Sequence, residues 1–159
     1  MRRLPINRLR PSATAFVVAA VVTAFDLATK AWARAALENS NRHLVGPINL
    51  KLTFNSGFGF SLGRGAPVVS AVMSIAVIAV VAVAAAFAHA GWPAVGFGLI
   101  LGGGVSNLID RLTSTMNGVT DYVSVGAFPV FNLADASITV GVVILIVVAL
   151  MGRPLLAER

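Results

Sequence analysis

From Gly65 to Ile109 the chain carries no Asp, Glu, Lys or Arg, an uncharged run of 45 residues. One bilayer crossing takes about 20 apolar residues, so this run holds two crossings and a tight turn. Ala90-Gly91-Trp92-Pro93 supplies the break between them. The spacing predicts helices near 67–89 and 93–111. Two more apolar runs cover 13–33 and 131–151, the second closed by Gly152-Arg153-Pro154. The expected fold class is a membrane all-α bundle of four transmembrane helices with a small β platform in outer loops 34–66 and 112–130. Residues 1–159 then read as a single integral membrane domain.

Composition removes the main alternatives. With 57% hydrophobic and 11% charged residues, the chain is too apolar for a disordered segment or an ordinary soluble domain. Zero Cys excludes a disulfide scaffold, an Fe–S or thiolate zinc site and a cysteine nucleophile. His43 and His89 lie too far apart in sequence for a His-rich metal site. Nothing calls for a metal or an organic cofactor.

The net charge of +6 does not point to nucleic acid. Arg2, Arg3, Arg8 and Arg10 cluster just before the first apolar run, as in a cytoplasmic membrane flank. The tails carry six basic residues, counting Arg153 and Arg159. The opposite side also carries six: Lys30, Arg34, Arg42, Lys51, Arg64 and Arg111. The tails are shorter and the first helix usually dominates, so both termini are expected in the cytoplasm. The start also resembles a cleavable signal peptide, with Ala15–Phe25 apolar and Ala31-Trp32-Ala33 beyond. Asp26 and Lys30, between the two, argue against cleavage.

The first outer loop has structure of its own. Ile48-Asn49-Leu50-Lys51-Leu52-Thr53-Phe54-Asn55 alternates apolar and polar, the period of a half-buried strand. Gly57, Gly59, Gly63 and Gly65 then allow sharp turns. In the second outer loop Val119, Asp121, Val123 and Val125 share one face, with Thr120, Tyr122 and Ser124 on the other. Two short strands pairing into a platform on the outer membrane surface is the expectation.

All four Asp residues fall near helix ends on that outer side: Asp26, Asp110, Asp121 and Asp135. An acid at membrane depth costs about 2.5–3.5 kcal/mol on insertion scales, so such groups face protein or water and carry function. Asp26 and Lys30 are four apart, acid first, the favourable order for a helical pair. A neutralised pair is a poor general base, so a structural role is favoured there. Asn107, Asp110 and Arg111 share a helix face, with Gly103 one turn earlier. That stripe reads equally as packing capped by a charge pair, or as a holder of a backbone carbonyl or a lipid head group. Asp121 sits on an apolar strand face where a surface acid is unexpected, unless the loop is irregular and Asp121 solvated. Asn132 is a good N-cap, and Asp135 three residues on favours the positive end of a helix, so capping alone explains both. If Asp121 and Asp135 met in space, they would share a proton and act as base and acid on one water. Spacing alone leaves that open.

Five segments together resemble the lipoprotein signal peptidase, or signal peptidase II, family of bacterial membrane aspartic proteases. Asp26-Leu27-Ala28-Thr29-Lys30 matches its D-x-x-x-K element. Phe54-Asn55-Ser56-Gly57 with Phe60-Ser61 is similar to its N-x-G loop. Gly103 through Asn107-Leu108-Ile109-Asp110-Arg111 is similar to its G-x-x-x-N-x-x-D-R helix. Gly118-Val119-Thr120-Asp121-Tyr122 and Phe131-Asn132-Leu133-Ala134-Asp135 resemble its V-x-D-[FY] and F-N-x-A-D elements. Each motif is weak alone; five in order over nearly the whole chain are specific.

The resemblance implies cleavage just before a diacylglyceryl-modified cysteine, releasing the signal peptide of a bacterial prolipoprotein. It implies Asp121 and Asp135 as the catalytic dyad. Asp26, Asn55, Asn107, Arg111 and Asn132 would support the site or orient substrate, Lys30 would pair with Asp26, and Asp110 would help fix Arg111. Lipid-modified prolipoproteins and membrane lipids are then the partners, with the protein a monomer in the bacterial cell membrane. The chain departs from the pattern at Ser106, where Gly is usual, and at Gly59, Asn117 and Thr120. The Ser106 hydroxyl can bond back to its own helix, which would slightly alter close packing there. These departures leave open a diverged paralogue with a different lipid-linked substrate, and a non-catalytic membrane scaffold is a further alternative. A proton-coupled transporter would want an acid at mid-span, and none is placed there.

Overall fold

The computed structural model describes residues 13–56, 67–114 and 118–157. Four helices run α1 Ala13–Leu37, α2 Pro67–Ala86, α3 Trp92–Thr113 and α4 Leu133–Leu150. All four are long and apolar enough to cross a membrane. Among the described residues there are also three short strands: β1 Arg42–Val45, β2 Ile48–Asn55 and β3 Val119–Val125. They form one antiparallel sheet in the order β1-β2-β3.

Helix α3 is the centre of the bundle and packs on α1, α2 and α4. Its glycines make that possible. A Cβ on Gly102 would lie 2.6 Å from the Ala19 carbonyl oxygen of α1, and one on Gly103 would lie 2.6 Å from the Ala134 oxygen of α4. Helices this close associate through backbone packing, which is how bundles hold together where lipid removes the hydrophobic drive. The interior near α2 is built of small residues, Ala15, Ala19, Ala85, Ala88 and Ala94, with Leu101.

The outward faces are apolar. Val72, Ile75, Val80 and Val83 of α2 and Val140, Val143, Ile146 and Leu150 of α4 are exposed. Alongside the small apolar residues, the interior holds a polar set: Asp26, Lys30, Ser106, Asp110, Thr120, Asp121 and Asn132. In a bilayer the lipid-facing surface is apolar, and the few ionisable groups face the bundle interior.

The ends of the elements have local causes. Gly91 takes φ 89 and Pro93 sits in the first turn of α3, where its missing N–H costs nothing. Helix α2 ends at Ala86, three residues before the sequence expectation, because the chain beyond it pairs with the C-terminal segment. The His89 N–H donates to Leu155 O at 2.9 Å, and the Ala157 N–H to Phe87 O at 2.8 Å. Helix α1 continues to Leu37, past the end of the apolar run, with Leu37 and Ala33 packed on Tyr122 of β3. Strand β1 was not anticipated; it joins β2 through a turn at Gly46 and Pro47.

Candidate active site

The second half of α1 carries Asp26, Lys30 and Arg34 at intervals of four, one stripe of a helix. Asp26 and Lys30 are 0% exposed, and their ion pair is 2.7 Å long. Asp26 holds more than Lys30. Its Oδ2 accepts the Ser106 hydroxyl at 2.6 Å, and its Oδ1 accepts the Ala134 N–H at 2.7 Å. One carboxylate therefore joins α1, α3 and the first turn of α4. A buried charge is tolerated only when its lone pairs are filled in this way.

Helix α3 contributes the next stripe. Asn107 accepts Lys30 Nζ at 2.6 Å on its Oδ1 and donates to Asp135 Oδ1 at 2.9 Å. One turn on, Asp110 accepts Arg34 Nη1 at 2.6 Å and the Thr120 N–H at 2.6 Å, with Lys30 Nζ 3.9 Å away. The family resemblance implies that Asp110 helps fix Arg111; the bonds seen here take its carboxylate to Arg34 of α1 and Thr120 of β3, because Arg34 rises on the α1 stripe to meet it.

The strand β3 brings Asp121 in. Opposite Thr53 of β2, it is 2% exposed. The first four residues of β3 are all buried, on both faces. Tyr122 packs against Ala33 and Leu37, and its hydroxyl donates to Thr29 Oγ1 at 2.8 Å. Asp121 on the opposite face meets the start of α4. Asn132 Nδ2 donates to its Oδ1 at 2.7 Å, and Asn55 also bonds its side chain. Burial first, and then the Asp135 charge, raise the Asp121 carboxyl from 3.8 to about 7, against the bonds from Asn132 and Asn55 and the charge of Lys30.

Helix α4 begins with a full capping box. Asn132 Oδ1 accepts the Asp135 N–H at 2.9 Å, and Asp135 Oδ2 accepts the Asn132 N–H at 3.2 Å. That fixes which end of the Asn132 amide is oxygen. Its NH2 is then shared among Asp121 Oδ1, Asn107 Oδ1 at 3.2 Å and the Thr120 carbonyl at 3.3 Å. The cap and the acid cluster are thus one arrangement of the same two residues. Phe131 remains tied to β3 by paired bonds with Val123 at 2.8 and 2.9 Å, so the helix starts two residues after the apolar run.

Asp121 and Asp135 therefore stand on either side of Asn132, within electrostatic reach of one another. Arg111 is in electrostatic reach of both. The cluster holds the acids Asp26, Asp110, Asp121 and Asp135 and the cations Lys30, Arg34 and Arg111. Four acids against three cations balance when one proton is shared among the acids.

The family model for signal peptidase (SPase) II matches residues 18–151. The chain belongs to the signal peptidase II family. A lipoprotein signal peptidase of Rhodococcus jostii is 40% identical over 143 residues, covering 86% of this chain and 72% of that protein. One of Mycobacterium leprae is 34% identical over 155 residues, covering 94% and 76%. A solved bacterial membrane enzyme superposes with a TM-score of 0.73 at 22% identity, covering 89% of this chain and 92% of that one. Together with the four spans, these findings make the chain a multi-pass bacterial membrane protein of the signal peptidase II family.

Of the residues in the five signal peptidase II motifs, Asp26, Lys30, Asn107, Asp110, Asp121, Asn132 and Asp135 lie in one network of hydrogen bonds and ion pairs, with Asp110 joined through Thr120. Asn55 reaches it through Asp121, and Gly103 allows the close approach of α4. Gly57, Gly59, Phe60, Ser61, Gly63, Gly65 and Asn117 lie outside the described residues. Ser106, one of the departures from the signal peptidase II pattern, does not bond back to its own helix; its hydroxyl crosses to Asp26. Sequence reasoning missed Arg34 in the network, although its spacing from Lys30 was the available signal.

Proposed function

We propose that this chain is a membrane aspartic endopeptidase that removes the signal peptide of diacylglyceryl-cysteine-modified prolipoproteins. The observation that carries the reading is Asn132, which caps Asp135 and donates to Asp121 with the same amide. Two acids held this way share one proton. In the proposed cycle Asp121 starts protonated, and Asp135, which accepts from the Asn132 N–H and the Asn107 amide, starts ionised.

Water placed between them attacks the scissile carbonyl carbon. Asp135 takes a proton from the water, and Asp121 gives its own to the carbonyl oxygen. The tetrahedral diol then collapses. The C–N bond breaks, the leaving cysteine nitrogen receives the proton from Asp135, and Asp121 recovers its proton from the diol. Arg111, near both acids, offsets the charge that moves between them.

Placement at the helix ends suits the substrate. The acyl chains keep the modified cysteine in the bilayer, while the site lies where α1, α3 and α4 meet the sheet. The basic N-terminal flank puts both termini in the cytoplasm and the site toward the outer face. The apolar outer surface takes membrane lipids, and the cluster draws all its acids from one chain, so a monomer suffices.

The test is cleavage by purified protein in detergent, with a diacylglyceryl-modified precursor and its unmodified counterpart. Cleavage of the modified precursor alone is expected. Cleavage of neither by folded protein contradicts the reading.

A further inference from the structure

Thr120 precedes Asp121 and points to the opposite side of β3, as neighbours on a strand do. It is fully buried, and each of its polar groups is held from a different helix. Its N–H donates to Asp110 of α3 at 2.6 Å. Its carbonyl accepts from Asn132 at the start of α4 at 3.3 Å. Its hydroxyl accepts from Arg34 Nη1 of α1 at 2.7 Å. The same Arg34 nitrogen donates to Asp110 at 2.6 Å, so guanidinium, carboxylate and threonine close a ring. Lys30, 3.9 Å from Asp110, is the other charge on that carboxylate.

Fixing residue 120 at three points fixes the peptide plane from which the Asp121 side chain leaves. Asp110 and Asn132 belong to the motifs already described. The remaining hold is not among them: Arg34 lies outside every motif, and Thr120 stands where the pattern usually has an apolar residue that accepts no bond. A guanidinium can serve two acceptors with one planar head, which an ammonium on a flexible stem does poorly.

We propose that Arg34 and the Thr120 hydroxyl form a positioning latch for Asp121, so that Arg34 is a positioning residue of this peptidase. The inference rests on the function proposed above. The latch acts through residue 120 and touches no reacting atom, so it sets the turnover rate and leaves substrate affinity alone.

A double-mutant cycle tests it, using Thr120→Val, Arg34→Gln and their combination, with Thr120→Ser as the conservative variant. The readouts are kcat and KM on the modified precursor, and amide hydrogen exchange across residues 118–124 in detergent. Thr120→Val and Arg34→Gln are each expected to lower kcat roughly tenfold, short of the ~100-fold that a 1 Å misplacement costs. KM should stay within about twofold, as for a group that acts only in the transition state. The double variant should be no slower than Arg34→Gln alone, and Thr120→Ser should match wild type. Exchange at residues 120 and 121 should quicken roughly tenfold, with α3 unchanged.

Wild-type kcat in Thr120→Val overturns the proposal, whatever the exchange shows. So does full additivity in the cycle, or a Thr120→Ser variant as slow as Thr120→Val. Should Thr120→Val fail to fold, Arg34→Gln at its 38% exposed side chain gives the same readouts. A wild type that cleaves no precursor defeats the proposed function, and exchange then decides the latch: non-additive loss of protection upholds it, and unchanged protection overturns it.

Discussion

Raising the pH from about 6 to about 8 should slow the peptidase by removing the proton on Asp121, whose carboxyl is raised to about 7 in the fold. One unit below that value about 90% of the acid is protonated, and one unit above it about 10%. The proposed cycle needs that proton, so kcat/KM on a diacylglyceryl-modified precursor should fall roughly tenfold across the interval. The fall belongs to the Asp121–Asp135 pair, not to one residue. Stability moves in a direction that can be checked separately. Asp121 is raised from 3.8 to about 7, so the fold favours its neutral form. That stabilisation is complete below pH ~4 and is lost as the pH rises through ~7. Asp121→Asn stays neutral throughout. It should melt above the wild type at pH ~8 and level with it below pH ~4, while cleaving nothing. A kcat/KM flat between pH ~6 and ~9, or an Asp121→Asn variant that loses stability as the pH rises, would refute the reasoning.

Three further outcomes follow from the packing and the buried charges. Ser106→Ala takes a donor from the buried Asp26 carboxylate and should cost about 1.5–3 kcal/mol, read by thermal unfolding in detergent. Gly103→Ala puts a Cβ 2.6 Å from the Ala134 oxygen, so α3 and α4 must part. It should cost about 1–3 kcal/mol and lower kcat more than a matched Ala substitution on the exposed face of α2. Lys30→Met leaves Asp26 buried without its ion pair and should cost about 3–5 kcal/mol, part of which Asp26→Asn in the same chain should recover.

Much of this was legible because its signals are local. The spans show in runs of uncharged residues, and the cap of α4 in the spacing of Asn132 and Asp135. The platform shows in the alternation of 48–55 and 119–125, which pair as antiparallel strands. Strand β1 was not legible, since four residues exposed along their length carry no apolar period. The network partners were hidden for a different reason. Ser106 and Asp26 are 80 residues apart in sequence, and Arg34 and Thr120 are 86 apart. Only the packing of α1 on α3 and on β3 brings them together, and no local pattern encodes that. Asn132 reads from sequence as a sufficient helix cap, and capping alone gives no hint that the same amide reaches Asp121. Arg34 is the intermediate case, with its spacing on the α1 stripe visible and its partners not.

The central claim is that Asp121 and Asp135 work as one dyad around Asn132. Its most direct measurement is the single-turnover rate on the modified precursor for wild type, Asp121→Asn, Asp135→Asn and the double variant, each shown to be folded by its thermal unfolding. Residues that act as a unit are grossly non-additive, so each single variant should lose about 10³-fold or more, and the double variant no further. A single variant that keeps more than about a tenth of the wild-type rate, or losses that simply multiply in the double variant, would contradict the dyad.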